Sequence, residues 1–299
     1  QLFIEYQPFQ FDKAKETLER QLVIAKQIAS DSLQHCTMLD MAMLHTTAGF
    51  YLEADEIFAQ IDTASLTLDQ KVYWYDARQK FLHDYQEYVT TSSIEVPDAS
   101  QITRYQDRIL EITSDDIPLN RHIRILRIIE SRDFEKAYEE NMAFIASLDK
   151  TSRDYAVQTY WQGYICENLD RTEELIKWWT DSALCDIQGA LKDNASLCSI
   201  AIKLTDPQDT DRAFKYISIS LDDALFYNAK LRKVQIASTL PWILKTYTNS
   251  KDLQNRDRTR YLILTLCIAL LLLLFCVAAI RLYIKGRRNA MEIESKNRQ

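Results

Sequence analysis

Apolar residues recur three and four positions apart through most of the first 250 residues, the spacing of one face of an α-helix. FDKAKETL (11–18) and FEKAYEEN (134–141) show the pattern in short form. Read along the chain, it predicts helices over 10–28, 34–48, 51–62, 69–90, 100–113, 119–131, 134–148, 152–168, 171–190, 194–205, 209–228 and 230–249. The polar, proline-containing stretch TTSSIEVPDAS (90–100) predicts a loop, and Asp206–Pro207 a further break. Pro241, inside STLPWIL, predicts either a kink or a fresh helix start capped by Ser238 or Thr239.

Several of these helices carry the same arrangement of side chains. A small or aliphatic residue at 14, 54, 137, 175 or 213 follows an aromatic or β-branched one three positions earlier, in Phe11, Tyr51, Phe134, Thr172 and Thr210. A third residue follows one turn later, in Leu18, Phe58, Asn141, Trp179 and Ile217. The central positions lie 40, 83, 38 and 38 residues apart, so a degenerate unit is expected near 70–112, where the spacing doubles. This is the logic of the second helix of a tetratricopeptide hairpin, with a small residue where paired helices approach most closely. The spacing is looser than the usual repeat of about 34 residues. Gly163 and Ala201 suit the matching small position of a first helix.

Residues 261–280 (YLILTLCIALLLLLFCVAAI) break the periodicity because they are apolar on every side, with Thr265 the one clear polar position and no charge. At about 1.5 Å per residue, twenty residues span about 30 Å, the thickness of a bilayer's hydrocarbon core. A transmembrane helix over 261–283 is expected, with Arg260, Tyr261, Arg281 and Tyr283 as anchors at the membrane boundaries.

Composition supports an all-helical chain. With only four glycines and five prolines in 299 residues, a strand-rich fold with many tight turns is unfavourable. The net charge of −7 divides into +4 over residues 261–299 and −11 before them, and so acidic a domain is ill-suited to nucleic acid. No HExxH, GxSxG, GKS/T or GxGxxG motif occurs, and the four histidines stand without a recognisable set of ligating partners. We therefore expect no enzyme, no catalytic residue, no cofactor and no metal. Glu139–Glu140, Glu173–Glu174 and Asp222–Asp223 read as solvated helix faces. None of the six cysteines forms a CxxC pair. Cys185 and Cys198 flank an interhelix turn and would pair only in an oxidising compartment, with buried free thiols the commoner outcome.

YQPFQFDKA near the start, CDIQGALKDNASLCSIAIKL (185–204), DTDRAFKYISISLDDALFYNAKLR (209–232) and QIASTLPWI (235–243) carry a resemblance. Together with the apolar span, they resemble the gut-bacterial family of single-span membrane transcriptional regulators with a periplasmic tetratricopeptide sensor domain, similar in layout to the starch-utilisation regulator. The resemblance implies an all-α helical-hairpin solenoid over 1–228 and a capping helix with juxtamembrane connector over 229–260. It further implies the transmembrane helix at 261–283 and a cytoplasmic stub at 284–299, truncated before an output module resembling a helix-turn-helix. An export signal upstream is expected on the same ground. Positive charges nearly balance on the two sides of the span, so a cytoplasmic C-terminus in the inner membrane rests on the resemblance.

The expected function is that of a membrane-anchored sensor and regulator. Its periplasmic array binds a ligand, carbohydrate being one candidate, or a protein or peptide. The signal then passes through one helix to a cytoplasmic DNA-binding module, and residues 1–299 themselves bind no nucleic acid. The alternative is a membrane-tethered scaffold or envelope assembly factor that does not signal. The bilayer is a partner either way, and a homodimer is compatible with single-span signalling. The span lacks GxxxG, however, which gives little reason to dimerise through it. Candidate binding residues on first helices are Trp74 and Arg78, Tyr160 and Tyr164, and the stripe Arg121, Arg124 and Arg127. Pro241 is the candidate hinge.

Overall fold

The computed structural model describes residues 1–89, 99–192, 194–204 and 206–297. Among them are thirteen α-helices and no strand: α1 (Leu2–Tyr6), α2 (Phe11–Gln27), α3 (Asp31–Ala48), α4 (Tyr51–Ala59), α5 (Leu68–Val89), α6 (Ala99–Ile112), α7 (Pro118–Glu130), α8 (Phe134–Ile145), α9 (Arg153–Asn168), α10 (Thr172–Gln188), α11 (Ala195–Lys203), α12 (Thr210–Tyr227) and α13 (Lys230–Asn297). A 3₁₀ turn at Pro207–Asp209 stands at the expected break, where the Asp206 carboxylate accepts from Gln208 N. The loop predicted over 90–100 lies largely outside the described residues. The chain divides into two compact units, Gln1–Leu244 and Lys245–Gln299.

Within the first unit the helices pair as hairpins: α1 with α2, α3 with α4, and so on to α11 with α12. The repeated side chains explain the pairing. Ala14, Ala54, Ala137, Leu175 and Ala213 are all buried, as are the residues one turn later, Leu18, Phe58, Asn141, Trp179 and Ile217. The degenerate unit is α5 with α6. There Ile102 and Ile109 are buried at the two flanking positions, and Tyr105 stands where the other units have alanine or leucine.

So many turns with so few glycines need another device. The left-handed residue that ends a helix is Gly49 (φ +79°) after α3, but it is Ala29, Arg132, Asp170, Ala190 and Asn228 elsewhere, with φ between 51° and 68°. Side chains of Ser30, Asp133, Ser152 and Asn194 accept the backbone N–H three residues on, capping α3, α8, α9 and α11.

The two ends of the array meet. Phe11 of α2 stacks on Phe50 at 4.8 Å and meets Tyr227 of α12 edge-on at 6.2 Å. Lys192 N, before α11, donates to Pro8 O at 2.8 Å. One buried cluster accordingly runs from Phe3, Phe11, Ala14 and Leu18 through Trp179 and Ile217 to Ile236 and Ile243 of α13. Smaller clusters hold α3–α6 and α7–α9 together.

Two expectations at the C-terminal side are revised. The helices predicted at 230–249 and 261–283 belong to one helix, α13, because SKDLQNRDRTR between them contains neither glycine nor proline. No new helix starts at Pro241, which lies inside α13. Ser238 and Thr239 do not cap: their hydroxyls donate back to the carbonyls of Gln235 and Ile236. In the second unit, the apolar segment is long enough to cross a membrane and is exposed along its whole length.

Candidate ligand site on the inner face of the array

Helix α5 presents a polar stripe at helical spacing: Tyr73, Asp76, Lys80, His83 and Glu87. Contacts that skip intervening helices show that this stripe faces inward. His83 lies 6.3 Å, ring to ring, from Trp161 of α9. Glu87 Oε2 accepts from Gln235 Nε2 of α13 at 3.1 Å. The inner face is thus lined by first helices, and the opening turns of α13 take the place of a seventh.

Its chemistry is dominated by partly desolvated charge. Lys80 Nζ donates to Asp84 Oδ2 at 2.6 Å, and His83 Nδ1 stands 3.6 Å from Asp84 Oδ1. Burial opposes the charge on Asp84, but Lys80 and His83 outweigh it and hold its pKa below the usual carboxylate value. His83 gains proton affinity from the Asp84 carboxylate beside it, against the opposing effect of burial. Asp76 and Asp40 have raised pKa values because burial disfavours their charge. Asp76 Oδ1 accepts from Gln79 (3.2 Å), and Asp40 Oδ1 accepts from Tyr73 Oη (3.0 Å).

Across from α5, Gln158 Nε2 of α9 donates to His122 Nδ1 of α7 at 2.8 Å. Burial pushes the imidazole pKa down to about 4, so His122 is neutral at pH 7. Behind it, Asn141 Nδ2 of α8 donates to Gln162 Oε1 (2.8 Å) and to Gln158 O (3.0 Å). Gln158 Oε1, Gln162 Nε2 and Asn141 Oδ1 are buried without a hydrogen-bond partner among the described residues. Burial raises the pKa of the Tyr160 phenol, with the charge of Arg232 opposing and that of Glu87 adding to it.

The residues singled out from the sequence have other neighbours. Trp74 packs edge-on against Phe58, Tyr75 and Tyr105, within the core that joins α3–α6. Arg78 pairs with Asp55 at 2.7 Å and lies over the rings of Phe58 and Phe81. Both point toward α4 and α6, away from the α5 stripe. Arg121 donates to Ser147 and covers Phe144 of α8 at 4.5 Å, Arg124 pairs with Asp115 at 2.7 Å, and Arg127 pairs with Asp107. The three arginines brace α7 against its surroundings. Tyr160 stacks on Trp179 (6.2 Å), while exposed Tyr164 meets Trp161 edge-on (5.6 Å). Arg260, Tyr261, Arg281 and Tyr283 are exposed in the second unit.

Sequence reasoning missed Lys80, His83, Glu87, His122 and Trp161. The signal of Lys80, His83 and Glu87 is the 3–4 spacing of polar residues on α5, a period that also describes an ordinary solvated face, and His122 of α7 and Trp161 of α9 carry no such signal. Between α5 and α6 there is also an open depression of about 520 Å³ lined by Tyr75, Tyr105, Arg104 and Arg108 among others.

No curated protein and no solved structure matches the chain. Residues 1–238 match the family described as the SusR N-terminal TPR domain, and these residues span every hairpin above together with the opening turns of α13. The match covers most of the chain, and the buried repeat residues supply its physical basis, so the chain belongs to the family of proteins with a SusR-like N-terminal tetratricopeptide domain.

Proposed function

We propose that the protein is a single-span membrane sensor and regulator without catalysis of its own, and that its ligand binds on the inner face of the array. The observation that carries this reading is the α5 stripe facing Trp161 and His122. Carboxylates, imidazoles, amides and an indole ring converge there from α5, α7 and α9, beside buried amide atoms that lack partners among the described residues. Such equipment suits a neutral, hydroxyl-rich ligand: carboxylates and amides take hydroxyls, and the indole takes an apolar ring face. A carbohydrate is the class it fits best.

In this reading the apolar segment of α13 crosses the inner membrane, with the array in the periplasm and the C-terminus in the cytoplasm. There it connects to a DNA-binding module outside these residues. Calorimetry of the full chain in nanodiscs against neutral glucose, mannose and xylose oligosaccharides tests the site. Saturable binding that Trp161→Ala and His83→Ala each weaken at least tenfold supports it. Binding unaffected by both variants, or no binding to any of the sugars, overturns it.

A further inference from the structure

The first turns of α13 are both part of the inner face and the start of the helix that carries the apolar segment. Their seat is specific. At the α3–α4 corner, a Cβ on Gly49 would stand 2.8 Å from Leu231 N, and Lys230 Nζ lies 3.7 Å over the Phe50 ring. Leu231 is buried, and Ile236 and Ile243 are buried in the cluster that joins the array's two ends. On the polar side, Gln235 uses both ends of its amide: Oε1 accepts from Arg232 Nη1, and Nε2 donates to Glu87 Oε2. Arg232 and Gln235 are only partly buried, and Glu87 is exposed. The relay is therefore reachable from solvent, whereas the apolar seat is not.

A contact of this kind can exchange partners without unfolding anything. Breaking it frees one polar side of α13 while Ile236 and Ile243 keep the helix docked, so the helix would pivot rather than detach. Glu87 is also the last member of the α5 stripe, three turns along from Asp76. A hydroxyl-bearing occupant of the stripe would compete with Gln235 for the Glu87 carboxylate.

We propose that the Arg232–Gln235–Glu87 relay is a latch, holding α13 to the inner face and releasing it when an occupant takes Glu87. This rests on the inner face being the ligand site. The test below uses no ligand, so the two readings can fail separately.

The full chain in nanodiscs is compared by amide hydrogen exchange with Glu87→Ala, Gln235→Ala, the double variant and Glu87→Gln. A latch predicts about fivefold faster exchange of the backbone amides in 233–243 in Glu87→Ala, the effect of losing one hydrogen bond, and at least as much in Gln235→Ala, which also loses the contact to Arg232. The double variant should show no more than Gln235→Ala alone, because that variant already removes the contact to Glu87. Glu87→Gln, which keeps an acceptor, should remain near the parent rate. Peptides from α2 and α9 should be unchanged. The proposal is overturned by unchanged exchange at 233–243, by additive effects, or by an acceleration shared equally with α2 and α9.

Discussion

Gly163 lies directly beneath Trp179: a Cβ on Gly163 would be 2.3 Å from the indole Cδ1 and 2.4 Å from Nε1. The indole is also held in place, because Nε1 donates to Tyr160 O at 3.0 Å and the side chain is buried. The ring therefore has nowhere cheap to go. Gly163→Ala should destabilise the array by about 2–3 kcal/mol, the range for overpacking a tight core. Urea denaturation followed by tryptophan fluorescence measures it. A loss below that of an ordinary exposed substitution would mean that α9 and α10 can separate freely.

The left-handed turn residues make an opposite prediction. Ala29 (φ 51°) and Ala190 (φ 55°) bear a Cβ in a conformation that disfavours it by about 1–2 kcal/mol. Replacing either by glycine should raise stability by up to about 1 kcal/mol, part of the gain being offset by the more flexible unfolded chain. A denaturation midpoint that falls for both would refute the strain argument.

His122 and His83 should pull stability in opposite directions with pH. The pKa of His122 falls from 6.5 to about 4 in the folded protein, so the unfolded state binds the proton more tightly. Its contribution is fully present above pH 6.5 and is lost as pH falls toward 4, by linkage on the order of 3 kcal/mol. His83 is raised, so its contribution is present below pH 6.5 and lost as pH rises through its folded pKa. His122→Asn should flatten the fall in stability between pH 7 and 5, and His83→Asn should steepen it. Identical pH profiles for the parent and His122→Asn would exclude this role.

Pro241 offers a test of transmission. It cannot donate to the Ala237 carbonyl, so α13 has a weakened turn between the docked residues Ile236 and Ile243. Pro241→Ala should strengthen that turn with little effect on the unfolding of the array, and should hold output on or off in a reporter strain. An unaltered ligand response in that variant would leave Pro241 with no part in signalling.

The apolar segment makes a direct prediction. Protein ending at Leu244 should remain soluble, whereas the chain through Gln299 should stay with membranes after an alkaline carbonate wash. Recovery of the longer chain in the wash would remove the single-span reading.

The helices were legible because periodicity is local: a buried stripe at 3.6 residues per turn leaves its trace whichever neighbour covers it. The repeat was legible because close approach of paired helices demands a small residue, and Ala14, Ala54, Ala137 and Ala213 satisfy that demand in sequence. The α5–α6 unit was legible only from the doubled spacing and not from its own residues, because Tyr105 occupies the same place with a large ring. Helix α1 escaped because five residues carry too little periodicity to register.

The sequence by itself thus determined the hairpins, their approximate bounds and the apolar segment, each set by contacts between neighbours or by the residues' own polarity. Only the tertiary structure decided which polar face turns inward. Trp74 lies one position from Tyr73 and Arg78 two positions from Asp76, and a helix rotates by about 100° per residue, so these offsets separate core from inner face. Tertiary structure likewise brought Phe11 to Tyr227 and Gln235 to Glu87. The curvature that joins distant repeats accumulates from small angles at every hairpin, and no local pattern of residues encodes that sum.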